Sequence, residues 1–247
     1  MAETAFHSLR DVWRRAVETW PDKAAYMDSG RQYSYAECDR LSDRLRRALA
    51  DRCGMKPGDA LAVAAPNGLA YMVAYWAAMK SGFVLVPINT RLGADELREI
   101  LANSDAGTLV VHASHWNTFE NLLSSCANVA HVVGVGIEIE DVLSFDALVA
   151  EGAAYDMSPD IREEDLAIVM HTSGTTGRPK GAMMRHGDLL FNNRVAIRAH
   201  VLGHEDILLL AIPMYHPTAA YSLVPSAAYT FSPPTMIMSL LRPFRTT

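Results

Sequence analysis

Between residues 60 and 135 short apolar runs alternate with stretches of helical character, and no other feature restricts the fold of this chain as strongly. Ala60 to Ala65, Phe83 to Val86, Thr108 to Val111 and Ala130 to Val135 are four to six residues each, the length of strands rather than helices. Between them lie the helical candidates Leu69 to Met79, Ala94 to Asn103 and Phe119 to Cys126. Such alternation predicts βαβ units, and hence an α/β fold with a largely parallel sheet flanked by helices. The turn Lys56-Pro57-Gly58-Asp59 marks where the pattern starts, and Leu166 to Met170 adds another strand candidate. Leu69 to Met79 is apolar all round but much shorter than the roughly 20 residues that cross a bilayer, so it predicts a buried helix.

Upstream, two helices announce themselves by their caps. Ser8 precedes a stripe of Leu9, Val12, Trp13, Ala16 and Val17, which Pro21 closes. Ser34-Tyr35-Ala36-Glu37 is a Ser-x-x-Glu capping box ahead of Cys38, Leu41, Leu45, Ala48 and Leu49. On this second helix the run of Arg44, Arg46 and Arg47 predicts a solvated face rather than an anion patch. The acidic, small-residue stretch from Glu138 to Glu164 predicts a surface connection, and no internal repeat argues for a solenoid.

Composition removes several function classes. With 247 residues and 50% hydrophobic composition the chain can bury a sizeable core. A net charge of -6 offers no global attraction for nucleic acid, so an anion must be bound by a local device. Cys38, Cys53 and Cys126 match neither a disulfide framework nor paired zinc-ligand spacing, and predict free thiols in a reducing compartment. No HExxH pair occurs, so no protein-built metal site is expected. The start MAETAFHSLRDVW lacks the basic and apolar regions of a secretory signal, which predicts a cytoplasmic protein without a transmembrane segment.

Directly behind the run ending at Met170 comes His171-Thr172-Ser173-Gly174-Thr175-Thr176-Gly177-Arg178-Pro179-Lys180-Gly181. A strand must end here. Glycines permit close backbone approach, hydroxyls supply hydrogen bonds, and Lys180 brings a mobile point charge, a combination that suits a polyphosphate. The bland alternative, a polar surface loop, gives no reason for Pro179-Lys180-Gly181 to follow in that order. A Walker loop is disfavoured because Pro179 stands where its second glycine belongs and Gly181 where its Ser or Thr belongs.

The stretch Thr172 to Gly181 resembles the signature of the adenylate-forming superfamily, which includes acyl-CoA synthetases, aryl-CoA ligases, luciferases and peptide-synthetase adenylation domains. Weaker likenesses occur at Thr19 to Ala25, at Tyr33 to Cys38, at Pro66-Asn67, and at Gly82 with Val86-Pro87-Ile88-Asn89. Pro213-Met214-Tyr215-His216 is similar to the aromatic motif near that family's acyl and adenylate pocket. The resemblance implies that a fatty or other hydrophobic carboxylate attacks the α-phosphate of ATP, and that coenzyme A captures the acyl-adenylate. It assigns Thr172, Ser173, Thr175, Thr176 and Lys180 to the triphosphate, Gly174, Gly177 and Gly181 to the shape of the loop, and Tyr215 and His216 to the substrate pocket. Mg²⁺ would bridge phosphates rather than sit in a protein cage. No catalytic residue is assigned. The alternative reading for His216 is a polar residue at a strand end.

Residues 1–229 are thus expected to form part of the family's N-terminal AMP-binding domain, and residues 230–247 a divergent tail. The small C-terminal domain with its catalytic lysine is not found, and a shifted frame or gene truncation is the expected origin. A sheet without its later strands predicts exposed edges and self-association. The competing expectation is a non-catalytic nucleotide-binding remnant or a partner subunit.

Overall fold

The caps read from Ser8 and Ser34 are made in the computed structural model, which describes residues 6–151, 159–172, 179–200, 206–225 and 235–237. Helix α1 (Leu9–Thr19) starts on a reciprocal box in which Ser8 Oγ accepts from the Asp11 amide and the Asp11 carboxylate accepts from the Ser8 amide. Its stripe buries Leu9, Val12, Trp13 and Ala16. Strands β1 (Ala24–Asp28) and β2 (Arg31–Ser34) follow as an antiparallel hairpin that the sequence reading did not foresee. Its two turn residues, Ser29 and Gly30, have φ of 50° and 81°, the left-handed pair that matches strand twist in tight hairpins. Helix α2 (Tyr35–Cys53) begins where Ser34 Oγ accepts from the Glu37 amide and stops at Gly54, whose φ of 66° favours glycine. The Glu37 carboxylate turns to Arg31, 2.7 Å away.

The predicted alternation then runs its course: β3 (Ala60–Ala64), α3 (Leu69–Ser81), β4 (Val84–Pro87), α4 (Ala94–Asn103), β5 (Thr108–His112), α5 (Trp116–Leu123) and β6 (His131–Val135). Next come β7 (Leu143–Ser144), α6 (Phe145–Glu151), β8 (Leu166–Thr172), β9 (Lys180–Arg185), α7 (His186–His200), β10 (Ile207–Leu209) and β11 (Thr235–Ile237). Seven strands form one sheet in the order β7-β6-β5-β3-β4-β8-β9, parallel throughout except for the β8–β9 hairpin. A second sheet has the order β10-β11-β1-β2, with β11 parallel to both of its neighbours. The mostly parallel architecture is the one expected from the alternation. Strand β11 also places residues 235–237 of the tail in a sheet.

One face of the seven-stranded sheet joins α1, α2, α3 and α6 in a core that includes Trp13, Tyr26, Tyr35 and Trp76. The other face packs α4 and α5 over Ala62, Leu109 and Val111. Helix α3 lies inside the first core with every residue from Tyr71 to Ser81 buried, as the all-round apolar run predicts.

Two expectations need correction. The stretch from Glu138 to Glu164 is not only a surface connection, since it supplies β7 and α6 and buries Phe145 and Leu148. Two apolar side chains on one short helical turn were diluted by the acidic residues around them. The arginine run is not uniformly solvated either: Arg46 is 7% exposed and pairs with Asp43 at 2.7 Å. It lies where α2 packs on α3, beside buried Lys80, whose ammonium contacts Asp39 and, at 2.7 Å, Asp43. Charges are retained there because each meets an opposite partner.

Candidate functional site

Strands β3, β4 and β8 run parallel, so their carboxyl ends share one edge of the sheet. Pro66-Asn67, the segment from Pro87 to Asn89 and Thr172 therefore gather at that edge, where open α/β sheets bind ligands. The β8–β9 hairpin pairs Thr172 directly with Lys180, so the two lie side by side at that edge. Thr172, Lys180 and Gly181 are exposed. Lys180 has no ion pair among the described residues, which leaves its ammonium available to an incoming anion. Ser173, Gly174, Thr175, Thr176 and Gly177 lie outside the described residues.

Gly181 sits in β9 opposite His171, not in the loop itself. A Cβ there would come within 2.9 Å of Val169 Cγ1 and 3.3 Å of His171 Nε2, so glycine lets the hairpin close. The shape requirement read from the sequence thus arises from cross-strand packing at this position. His171 is half-buried, and burial pushes its imidazole below the ordinary value, which keeps it neutral beside the loop.

The second motif is reached through Asn67. Its Nδ2 donates to the carbonyls of Ile212 at 2.9 Å and Leu210 at 3.3 Å, and its Oδ1 accepts from the Met214 amide at 2.7 Å. The Tyr215-His216 segment is thereby held beside the carboxyl end of β3. Tyr215 is half-buried and close enough to Tyr71 to help push that buried phenol above its ordinary value, behind the larger effect of burial. His216 is exposed, and its Nδ1 accepts from the Thr218 amide at 3.3 Å. Its carbonyl accepts from the Ala219 and Ala220 amides as the chain enters a π-helical turn, Thr218–Leu223. Ala219 and Ala220 are fully buried, so their small size serves packing.

A cleft of about 440 Å³ opens between Asp59, Ala60, Val84, Asp105, Thr108 and His131. These residues lie at the amino ends of the parallel strands, the edge opposite the loop, and the cleft is not part of this site. No three of His, Cys, Asp and Glu gather to hold a metal among the described residues. No helix among them is long and apolar enough to cross a membrane. In the sequence Asn67 stands out only through the Pro66-Asn67 resemblance. The sole local signal for it is a carboxamide placed directly after a buried strand.

Comparison with known proteins agrees with this fold. Over 207 residues the chain is 33% identical to feruloyl-CoA synthase of an Amycolatopsis species, an alignment covering 83% of this chain and 39% of that protein. It is 27% identical over 241 residues to a long-chain-fatty-acid–CoA ligase of Escherichia coli, covering 85% of this chain and 43% of the relative. The inhibitor-bound N-terminal domain of FACL13 from Mycobacterium tuberculosis superimposes with a TM-score of 0.84 at 26% identity, over 95% of this chain and 57% of that one. The chain thus spans about two-fifths of the length of those curated relatives. Since the sequence profile of the AMP-binding enzyme family matches residues 13–230, the chain belongs to that family of adenylate-forming enzymes, whose acyl-CoA ligases are among its relatives.

Proposed function

We propose that this chain supplies the phosphate-binding part of an acid-activating site, in which a carboxylic acid, and specifically a fatty acid, is converted by ATP to an acyl-adenylate and then to acyl-CoA. The observation that carries the proposal is the pairing of Thr172 with Lys180 at the carboxyl edge of a parallel sheet, with no ion pair to Lys180 among the described residues. The Lys180 ammonium attracts the β- and γ-phosphates as a point charge, and the Thr172 hydroxyl is a donor at the strand end. Ser173, Thr175 and Thr176 would add hydroxyl donors, with Gly174 and Gly177 leaving room for the phosphates. Tyr215 and His216 border the acyl and adenylate side. Mg²⁺, carried in on phosphate oxygens, supplies neutralisation of phosphate charge when bound. Coenzyme A is the thiol acceptor. No side chain here has to act as a nucleophile, because attack comes from the substrate carboxylate, and catalysis is positioning and charge stabilisation.

Titration of Mg-ATP into the chain, followed by carboxylate-dependent pyrophosphate exchange, tests the reading. Lys180→Met keeps the stem and removes the charge. ATP affinity should fall by roughly ten- to a hundredfold, the equivalent of about 1.5 to 3 kcal/mol for a charge-assisted contact, with AMP affected much less. Equal weakening of both nucleotides would assign the lysine to folding. No binding of ATP by the unaltered chain would sink the proposal. Binding without pyrophosphate exchange would favour the second reading, a nucleotide-binding module without turnover.

A further inference from the structure

We infer that Asn67 is a positioning residue, whose carboxamide sets where Tyr215 and His216 stand at the nucleotide edge of the sheet. The inference rests on the acid-activating reading of that edge. Both ends of the carboxamide are in use. Two carbonyls, Leu210 and Ile212, require its N–H groups, and one amide, Met214, requires its oxygen, so the partners themselves define which way the side chain faces.

The segment it holds has left the sheet. Strand β10 ends at Leu209, and the chain then crosses to the π-helical turn at Thr218–Leu223. Its backbone groups between those points need partners from elsewhere. Asn67, in the turn between β3 and α3, meets three of them although they are more than 140 positions away in the chain. The far end is held independently. Tyr75 on α3 donates its hydroxyl to the Ala220 carbonyl at 3.0 Å, and Asn193 on α7 donates to the Tyr221 carbonyl at 3.1 Å.

Between these two attachments Tyr215, His216 and Thr218 are presented at the surface or partly so. Met214, the last residue bonded by Asn67, is 1% exposed, so the restraint ends one residue before the motif. Turns of the π type leave carbonyls off the regular ladder and occur often at functional sites, and here those carbonyls take side-chain donors. With Asn67 removed, Leu210 to Met214 loses its three restraints while Tyr75 and Asn193 still hold the other end. The motif would move about its far attachment without the core being opened.

Asn67→Ala and Asn67→Ser, made in the full chain, test this with two readouts. In hydrogen exchange, the stretch 210–216 should exchange roughly ten- to a hundredfold faster in Asn67→Ala, as expected for loss of neutral hydrogen bonds, with α1 and α2 unchanged. In binding, affinity for dodecanoyl-sulfamoyl adenosine, a stable acyl-adenylate mimic, should fall about tenfold while Mg-ATP affinity stays within about twofold. Asn67→Ser, which keeps one short hydroxyl, should fall between the two proteins. Unchanged exchange at 210–216 overturns the inference. So does parallel loss of both ligands with faster exchange throughout, or failure of both variants to fold, since either makes Asn67 a residue of general stability. An unaltered chain that binds neither ligand refutes the acid-activating reading instead, and the exchange measurement still decides whether Asn67 holds the segment.

Discussion

Helices α3 and α7 are of similar length and lean on the same apolar core, yet they end up in opposite conditions. Of the 13 residues of α3, eleven are buried, whereas α7, with 15 residues, leaves Phe191 70% and Val195 50% exposed. The contrast extends to their surroundings. Among the described residues the exposed large apolar side chains are Met183, Phe191, Val195, Ile207 and Leu209 from the later elements, and only Ile139 from the first 151 positions. The earlier part buries nearly all of its large apolar side chains, in a core that Ile168, Leu189 and Leu210 of the later part share. The later part places apolar side chains on a strand at the sheet edge, on a helix face and on a second sheet, which is the condition of elements made to be covered.

The largest expected effect tests whether the core around α1 and α3 is as tightly packed as its burial implies. Trp13 is 1% exposed, stacks on Trp76 at 4.2 Å between ring centroids, and donates its indole N–H to Asp39 at 2.8 Å. Trp13→Ala should lower unfolding free energy in urea by about 3 to 5 kcal/mol. A loss under about 1 kcal/mol would mean that the early part relaxes around the cavity and does not form a tightly packed core.

Next in size is the joint between the two parts. His186, at the start of α7, is fully buried, and its Nδ1 accepts from the Leu9 amide at 3.3 Å. Burial pushes its imidazole down to about 4, with nearby Asp165 and Asp11 opposing and Arg10 assisting. The unfolded chain takes up its proton near the ordinary value of about 6.5, while the folded chain resists until about 4. Stability from this group is therefore present above pH 6.5 or so and is lost as pH falls towards 4, in total on the order of 3 kcal/mol. His186→Asn removes the titration, and its stability should vary less over that interval in denaturant melts. An unchanged slope would assign the acid sensitivity to other groups.

The smallest effect sharpens the contrast from the exposed side. Replacing Met183 with Lys and Phe191 with Glu touches only solvent-facing positions, so folding free energy should change by no more than about 0.5 kcal/mol. We propose that these faces drive self-association of the chain, and the double variant should sediment closer to a monomer than the unaltered protein. Equal association in both would place the contact elsewhere.

Much of the early part is legible because its signals are local. Ser8 and Ser34 cap the helices that follow them, and the short runs at Ala60, Thr108 and Ala130 become strands with small shifts of boundary. Helix α5 begins at Trp116, ahead of the expected Phe119, since a 3₁₀ turn at Ala113–His115 leads into it. The β1–β2 hairpin was hidden because its turn is Ser-Gly, not one of the strongest hairpin dipeptides. At the candidate site, the hydroxyl-glycine loop was visible as composition behind an apolar run. The reason for Gly181 was not, because it depends on Val169 and His171 across the hairpin.

By itself, the sequence determined the alternation of elements, the helix starts, the buried character of α3 and the hydroxyl-glycine stretch that follows β8. Each follows from residues within a few positions of one another, where periodicity, capping and turn chemistry act. Only the tertiary structure decided that β8 lies beside β4, that Arg46 and Lys80 are buried with Asp39 and Asp43, and that Asp28 of β1 accepts the Leu69 amide at the start of α3. It alone also joined Asn67 to Met214. Those contacts bring together residues far apart in the chain, and a polar side chain carries no local mark of which distant backbone group it will meet. The partner is chosen when the apolar faces pack and leave particular donors and acceptors with nowhere else to turn.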